Sequence, residues 1–133
     1  MTEAKRPKGE PAIKVSMMPR ETNVHNTIFG GVLLSYIDLA GSVHCRTTVN
    51  LDRVVTVAMK EIIFKEPVYV GDVVSFYTQT ESIGRTSVTV VVEVWADRFE
   101  SPRRSVRVTD AKVTFVNVDS GRRPVPIQPS DDE

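Results

Sequence analysis

The chain has little cysteine, little histidine and no surplus of either charge. Its 133 residues include a single cysteine, Cys45, which excludes an internal disulfide and is typical of proteins from reducing compartments. Lys plus Arg and Asp plus Glu number 17 each, so the composition does not favour a nucleic-acid or acidic-membrane partner. The two histidines show no spacing typical of metal ligands, and we expect no metal site.

Long apolar runs are also missing. No stretch is long enough to cross a bilayer, and the first residues do not resemble a signal peptide, so we expect a cytoplasmic protein without a membrane partner. At 41% hydrophobic residues, the chain can bury one core of ordinary domain size. We expect the domain at residues 12–126, and residues 1–11 and 127–133, rich in proline or charge, as frayed tails.

The run from Ile28 to Val43 predicts a helix that Gly30 and Gly31 open and that ends near Arg46. Asp38 is the only charged residue between Ile28 and Val43, and a lone carboxylate inside an apolar helix is costly to bury without a partner. A helical wheel predicts one broad apolar face. That face comprises Val32, Leu33, Tyr36, Ile37, Leu39, Ala40 and Val43.

The rest of the chain reads as strands separated by turn residues. The candidate strands lie at 12–18, 53–64, 72–82, 85–99 and 105–118. In the last one, the apolar alternation slips by one residue, which predicts a β-bulge near Thr109 and Asp110. A bent antiparallel sheet of four or five strands around a single helix gives an α+β layer fold.

The helix face around Asp38 carries small residues on the same wheel: Ser35, Gly41, Ser42 and Cys45. One interpretation is an ordinary solvent-exposed face. The other is a surface closed by a second subunit or a ligand, because exposed helix faces usually carry long charged side chains.

A carboxylate in a partly dry pocket can act as a general base on water or attack an acyl carbon itself. Either reaction needs donors for an oxyanion, and backbone N–H groups at a glycine-rich helix start can supply them. Gly31 and Asp38 are separated by roughly 10 Å along one helix. If both serve one site, they come from two copies of the chain. The glycine pair fits simple helix-start geometry equally well.

Several segments together resemble the small hotdog-fold acyl-CoA thioesterases. They are MMPRETNVHNTIFGGVLLSYIDLAG, RVVTVAMKEIIFKEPVYVGDVV, SIGRTSVTVVVEVW and VTDAKVTFVNVD. The resemblance covers roughly residues 13–126, in order and with matching spacing. The resemblance implies one long central helix wrapped by a curved antiparallel sheet of about five strands. It implies dimers that assemble as a trimer of dimers. It also implies hydrolysis of acyl-CoA to a carboxylic acid and free CoA, with CoA as part of the substrate and no cofactor.

The resemblance also assigns site residues. The catalytic aspartate falls on Asp38, and the helix-start glycines fall on Gly30 and Gly31. The remaining matches are the residues expected to bind substrate: Asn23, Asn26 and Phe29 around the loop before the helix, and Arg85, Thr86 and Ser87 in a turn that resembles a CoA-contacting segment. Relatives commonly carry Asn-Gly-Asp where this chain has His25-Asn26-Thr27. The polar partner across the site is then Thr27, or Asn26 displaced by one position.

Two other functions fit the same pattern. An acyl-thioester hydratase or dehydratase would use Asp38 with His25, and a non-catalytic acyl-CoA sensor would explain the departure at Thr27. His44 is expected to be a helix C-terminal dipole partner or a partly buried core residue. We expect Cys45 to be a buried, inert thiol.

Overall fold

The computed structural model describes residues 5–99 and 102–127. Within them the chain forms one long helix, five strands and a short 3-10 turn at Pro19–Glu21. The elements in chain order are β1 (Ile13–Ser16), α1 (Gly30–Thr47), β2 (Val54–Lys60), β3 (Val73–Ile83), β4 (Ser87–Asp97) and β5 (Ser105–Asn117). The bounds of each lie within four residues of those that the apolar pattern predicts.

The five strands form one antiparallel sheet in the order β1-β3-β4-β5-β2. α1 packs across one face of this sheet, and its side chains Leu33, Ile37 and Ala40 are fully or almost fully buried there. The strands contribute alternate apolar residues to the same core, among them Phe76, Val90, Val92, Val113 and Phe115. The predicted α+β arrangement is therefore confirmed, and β2, which carries one side of the candidate site, is an edge strand.

Two bulges bend the sheet around the helix. In β5, Thr109 pairs with Val94 and Arg107 pairs with Trp95, so Val108 has no partner across the strand pair. Val108 and Thr109 are consequently both buried, which explains the slip in apolar alternation and confirms the predicted bulge. A second irregularity lies in β2 between Thr56 and Ala58.

The face of α1 that packs on the sheet differs from the predicted one at three positions. Gly41 and Cys45 were expected beside Asp38 but are buried, whereas Leu39 was expected in the core and is 51% exposed. A Cβ atom on Gly41 would lie 2.7 Å from the ring of Phe115. The absence of a side chain at Gly41 therefore lets the helix and the sheet approach each other closely at this point. A helical wheel that assigns glycine to the polar face does not predict this contact.

Both ends of the described chain pack on the sheet. Arg6 donates hydrogen bonds to Tyr77, Ser75, Ser105 and Asp97, in place of the expected frayed segment. At the other end, the N–H of Ile127 donates to the carbonyl of Arg85. Within the described residues, no helix is long and apolar enough to cross a membrane.

Candidate active site

Asp38 lies half-buried in the middle of α1, with one oxygen committed to a hydrogen bond. The hydroxyl of Thr56 in β2 donates to Asp38 Oδ1 over 2.6 Å. A hydrogen bond from a hydroxyl stabilises a carboxylate and fixes its orientation. The second oxygen, Oδ2, accepts no hydrogen bond from any residue in the described ranges, so it is free to bind a water or a substrate.

The sequence analysis missed Thr56. It is a polar residue between two valines of β2, and only its strand register shows which way it points. Thr56 pairs with Phe115, whose ring lies in the core beneath α1, so both side chains face the helix. Predicting this contact from sequence would require the pairing of β2 with β5 and the position of the β2 bulge.

The start of α1 offers free backbone donors. Phe29 occupies the N-cap position in an extended conformation and provides no side-chain cap. Within the described part of the chain, no group accepts a hydrogen bond from the N–H of Gly30 or Gly31. Unpaired N–H groups at a helix start, together with the helix dipole, form a site that favours an anion.

The two candidate elements cannot meet within one chain. Asp38 and Gly31 lie on the same continuous helix, Gly30–Thr47, about 10 Å apart along its axis. A reacting carbonyl within hydrogen-bond reach of the helix start is therefore out of reach of the carboxylate of that helix. If both elements serve one site, each chain therefore supplies two half-sites.

The loop before α1 closes on itself through Asn23. Its Oδ1 accepts hydrogen bonds from the backbone N–H of His25 and of Thr27, and its amide nitrogen donates to Thr27 Oγ1. Asn26 has a φ of +63°, a left-handed conformation that asparagine tolerates. Asn23 and Thr27 are therefore brought together, with the Asn23 amide shaping the loop.

A buried ion pair anchors the segment beside this loop. Arg98 lies 2.7 Å from Asp72, and the two side chains are 9% and 2% exposed. The guanidinium also stacks over Tyr69, 4.9 Å from the ring centroid. Tyr69 pairs with Thr27 in an isolated bridge, and the N–H of Ile28 donates to Val68. The Arg98–Asp72 ion pair thereby holds in place the segment with Val68 and Tyr69, to which the loop before the helix is hydrogen-bonded.

The predicted CoA-contacting turn lies two strands from Thr56. Val88, just after Ser87, pairs with Phe115, and Phe115 pairs with Thr56. Two strand spacings amount to about 10 Å. Arg85 is exposed, and the carbonyl of Thr86 accepts a hydrogen bond from Asn117. The turn therefore lies next to strand residues that are level with Thr56, two strands away from it.

Other nucleophiles in the described region are occupied or buried. Ser35 and Ser42 donate to helix carbonyls. Burial raises the pKa of the Cys45 thiol to about 11, so the thiol is protonated at neutral pH, as predicted. His44 is buried between the hydroxyls of Thr78 and Thr80, and its burial lowers its pKa. No group of three His, Cys, Asp or Glu residues there could hold a metal ion.

Fold and site together define a class: a helix with a lone carboxylate, wrapped by a bent antiparallel sheet, with unpaired donors at the helix start. Comparison with known proteins identifies this class as the hotdog fold. A hexameric hotdog-fold thioesterase from Campylobacter jejuni superimposes with a TM-score of 0.85 at 43% identity, over 90% of this chain and 91% of that one. A hexameric broad-specificity acyl-coenzyme A thioesterase, HI0827, gives a TM-score of 0.86 at 36% identity over 96% and 86%.

Residues 25–100 match the thioesterase superfamily. The acyl-CoA thioester hydrolase YciA of Salmonella typhimurium is 36% identical over 126 residues, which is 92% of this chain and 94% of that protein. The chain therefore belongs to the thioesterase superfamily.

Proposed function

We propose that the protein hydrolyses acyl-CoA thioesters to free CoA and a carboxylic acid. The observation that carries the proposal is the pairing of Asp38 with Thr56, which leaves one carboxylate oxygen open on a half-buried helix face. The relatives named as acyl-CoA thioester hydrolases support the substrate class. The open N–H groups of Gly30 and Gly31 supply the second requirement, donors for an oxyanion.

In the proposed reaction, the oxygen of a water molecule bonds to the thioester carbonyl carbon, and the carbonyl becomes an oxyanion held by Gly30 and Gly31. Collapse of this intermediate breaks the C–S bond, and the departing thiolate takes up a proton to give CoA. Asp38 can take the proton from the attacking water, or it can attack the carbonyl carbon itself and form an anhydride that water then opens. A single turnover in ¹⁸O-water distinguishes the routes, since only the second places ¹⁸O in the Asp38 carboxylate once the anhydride is opened at that side.

The reacting carbonyl needs two copies of the chain, because its two half-sites lie about 10 Å apart on one helix. The surface beside Asp38 supports this pairing. Leu39 is 51% exposed and Val57 is 56% exposed, and Val57 belongs to β2, which is an edge strand of the sheet that the described residues form. Exposed apolar side chains along an open sheet edge are typical of a subunit interface.

We therefore propose a two-fold dimer in which Asp38 of one copy faces the helix start of the other. The solved relatives named as hexameric support assembly of three such dimers. The fully assembled enzyme is proposed to act in the cytoplasm and without a cofactor, since water, a carboxylate and backbone donors complete the reaction. Thr27, Asn23, Asn26 and Phe29 are proposed to line the site next to the helix start.

The test is release of free thiol from a panel of acyl-CoAs of increasing chain length, with wild type and Asp38→Asn measured side by side. We expect turnover by wild type and a loss of about 10²- to 10⁴-fold in the variant, the usual contribution of a general base. Binding of acyl-CoA by folded wild type without thiol release would contradict the proposal and favour a sensor. Formation of a hydrated or dehydrated acyl-CoA without thiol release would favour the hydratase or dehydratase.

A further inference from the structure

Two aromatic rings flank the glycines at the start of α1. A Cβ atom on Gly31 would lie 2.7 Å from the ring of Phe29, and one on Gly30 would lie 3.7 Å from the ring of Phe64. The Phe29 ring therefore takes up the space that a side chain at residue 31 would need, and the Phe64 ring closes the space beside residue 30. Both rings remain accessible, since Phe29 is 57% exposed and Phe64 is 41% exposed. The N–H groups of Gly30 and Gly31 thus have apolar walls beside them.

Phe64 lies in the connection between β2 and β3, and the β5 bulge holds the backbone on both sides of it. On one side, the hydroxyl of Thr109 donates to the carbonyl of Ile63 over 2.7 Å. On the other side, the N–H of Lys65 donates to the carbonyl of Val108 over 2.8 Å. Val108 and Thr109 form the bulge and are both fully buried. The sheet therefore fixes where the Phe64 ring meets the helix start.

The Phe64 ring borders the volume in which a bound thioester would place its first carbons. In a helix the Cα–Cβ bonds tilt toward the N-terminus, and the N–H groups of the first turn point the same way. A carbonyl oxygen that accepts from Gly30 lies about 2.9 Å from its nitrogen. The carbon next to that carbonyl lies about 2.4 Å from the oxygen. A substituent on this carbon is therefore within reach of the Phe64 ring.

Of the two groups on a thioester carbonyl, the acyl chain suits this surface better than the pantetheine arm. Phe64 is apolar, and so are its neighbour Ile63, which is 69% exposed, and Phe29 beside Gly31. The pantetheine arm carries two amides, and an amide that leaves water for an apolar surface without a hydrogen-bond partner costs free energy. A hydrocarbon chain gains free energy from the same contact. The acyl chain is therefore expected on the side of Phe64.

We propose that Phe64 is a specificity-determining residue that contacts the acyl group at the carbon next to the carbonyl and disfavours a branch there. The inference rests on the proposed function for the reaction and for the position of the carbonyl. Thr109 is a positioning residue, because it acts through the backbone of Ile63. Phe29 forms the second wall, but it is also the N-cap residue of α1, so Phe64 is the position to vary.

The experiment compares butanoyl-CoA with 2-methylpropanoyl-CoA. The two substrates are isomers that differ only in whether the carbon next to the carbonyl is branched. Phe64→Ala should raise kcat/KM for the branched ester relative to the straight one about tenfold, the low end of what a pocket discriminates for one carbon group. Phe64→Leu should give a smaller rise, and Phe64→Trp should lower the ratio. Comparison between variants cancels the lower intrinsic reactivity of the branched ester.

Two sets of variants serve as controls. Phe99 is 71% exposed, and its ring lies against Gly71 instead of the helix glycines, so Phe99→Ala should keep the wild-type isomer ratio. Thr109→Val removes the hydroxyl that holds Ile63 and should shift the ratio in the direction of Phe64→Ala, but less. Thr109→Ser keeps the donor and should keep the wild-type ratio. A loss of folded protein does not change the ratio, since both esters are measured on the same sample.

A wild-type isomer ratio in Phe64→Ala would overturn the proposal even if both rates fall, because equal losses indicate a structural role. An equal shift in Phe99→Ala would also overturn it, since the effect would not depend on the ring at the helix start. If wild type releases thiol from neither ester, the proposed function fails. Calorimetric titration with the same two esters then decides the inference. A gain in relative affinity for the branched ester in Phe64→Ala supports it, and an unchanged ratio of Kd values overturns it.

Discussion

Two aspartates in this chain have opposite surroundings. Asp72 is 2% exposed, and its two oxygens accept hydrogen bonds from Arg98 and from the backbone N–H groups of Tyr69 and Phe99. Asp38 is half-buried and accepts one hydrogen bond, from a neutral hydroxyl. Asp38 lies within α1 and Asp72 directly before β3, and both carboxylates cost free energy to bury. Only Asp38 has an oxygen left for an external partner.

This difference separates a carboxylate that holds the fold from one that can perform chemistry. A buried charge that is fully paired stabilises its surroundings only while both partners remain, because either one alone is an uncompensated charge. A carboxylate with one fixed and one open oxygen is oriented and still available to a water. Substitution by asparagine is therefore expected to lower mainly the stability at Asp72 and mainly the activity at Asp38.

The largest effect on stability is expected for Asp72→Asn. The change leaves Arg98 buried next to a neutral amide, and breaking a buried pair costs about 3 kcal/mol or more of unfolding free energy. Denaturant unfolding at one fixed protein concentration measures the loss. Activity per folded molecule should fall far less than in Asp38→Asn. A variant as stable as wild type would show that the pair does not hold the loop.

At the helix start, Gly30→Pro is expected to lower kcat by about 10²- to 10³-fold, because it removes one oxyanion donor. The fold should tolerate proline there, since it opens the helix and Phe29 before it has the extended conformation that proline requires (ψ 132°). Gly30→Ala is the control, because it keeps the N–H and its Cβ meets only Phe64 at 3.7 Å. Equal kcat values for the two variants would rule out the donor role.

Removing the hydroxyl that orients Asp38 should have a smaller effect. Thr56→Val keeps the shape but loses a hydrogen bond to a charged group, which is worth about 1.5 kcal/mol or more, or roughly tenfold in kcat. KM should not change, since Thr56 acts through Asp38. Thr56→Ser restores the donor and should recover most of the rate. Failure of serine to do so would indicate that the methyl group, through packing, is what matters.

The smallest effect concerns pH. Burial lowers the pKa of His44 below its usual 6.5, so the unfolded chain binds a proton that the folded chain resists. Stability from neutral His44 is therefore present above pH 6.5 and declines as pH falls from there toward the folded-state pKa. His44→Gln should flatten the melting temperature between pH 7 and pH 5. An unchanged slope would mean that other groups cause the decline.

The sequence predicted the elements well and the site only in part. The helix, the five strands and the β5 bulge all follow from apolar periodicity, which depends on neighbours in the chain. Asp38 stood out because no other charged residue occurs between Ile28 and Val43. Its partner Thr56 did not stand out, because threonine is common in strands. The sheet face to which the Thr56 side chain points depends on the β2 bulge.

The errors on the helix face have one physical cause. Glycine carries no apolar side chain, so a helical wheel assigns it to the polar face. Gly41 is nevertheless buried, and it packs so close to Phe115 that any larger residue would meet the ring. Leu39 was assigned to the core because it is apolar, but it faces outward, where a second copy would cover it. Both errors arise from packing between elements or between chains, which local periodicity does not contain.

The measurement that tests the central claim most directly is activity of mixed oligomers. Asp38→Asn and Gly30→Pro chains, each inactive alone, would be co-expressed with different tags and the mixed species purified. If each site combines Asp38 of one chain with the helix start of another, a mixed dimer contains one intact site. We predict recovery of about half the wild-type activity in mixed dimers. Mixed species as inactive as the two parents would contradict the shared site.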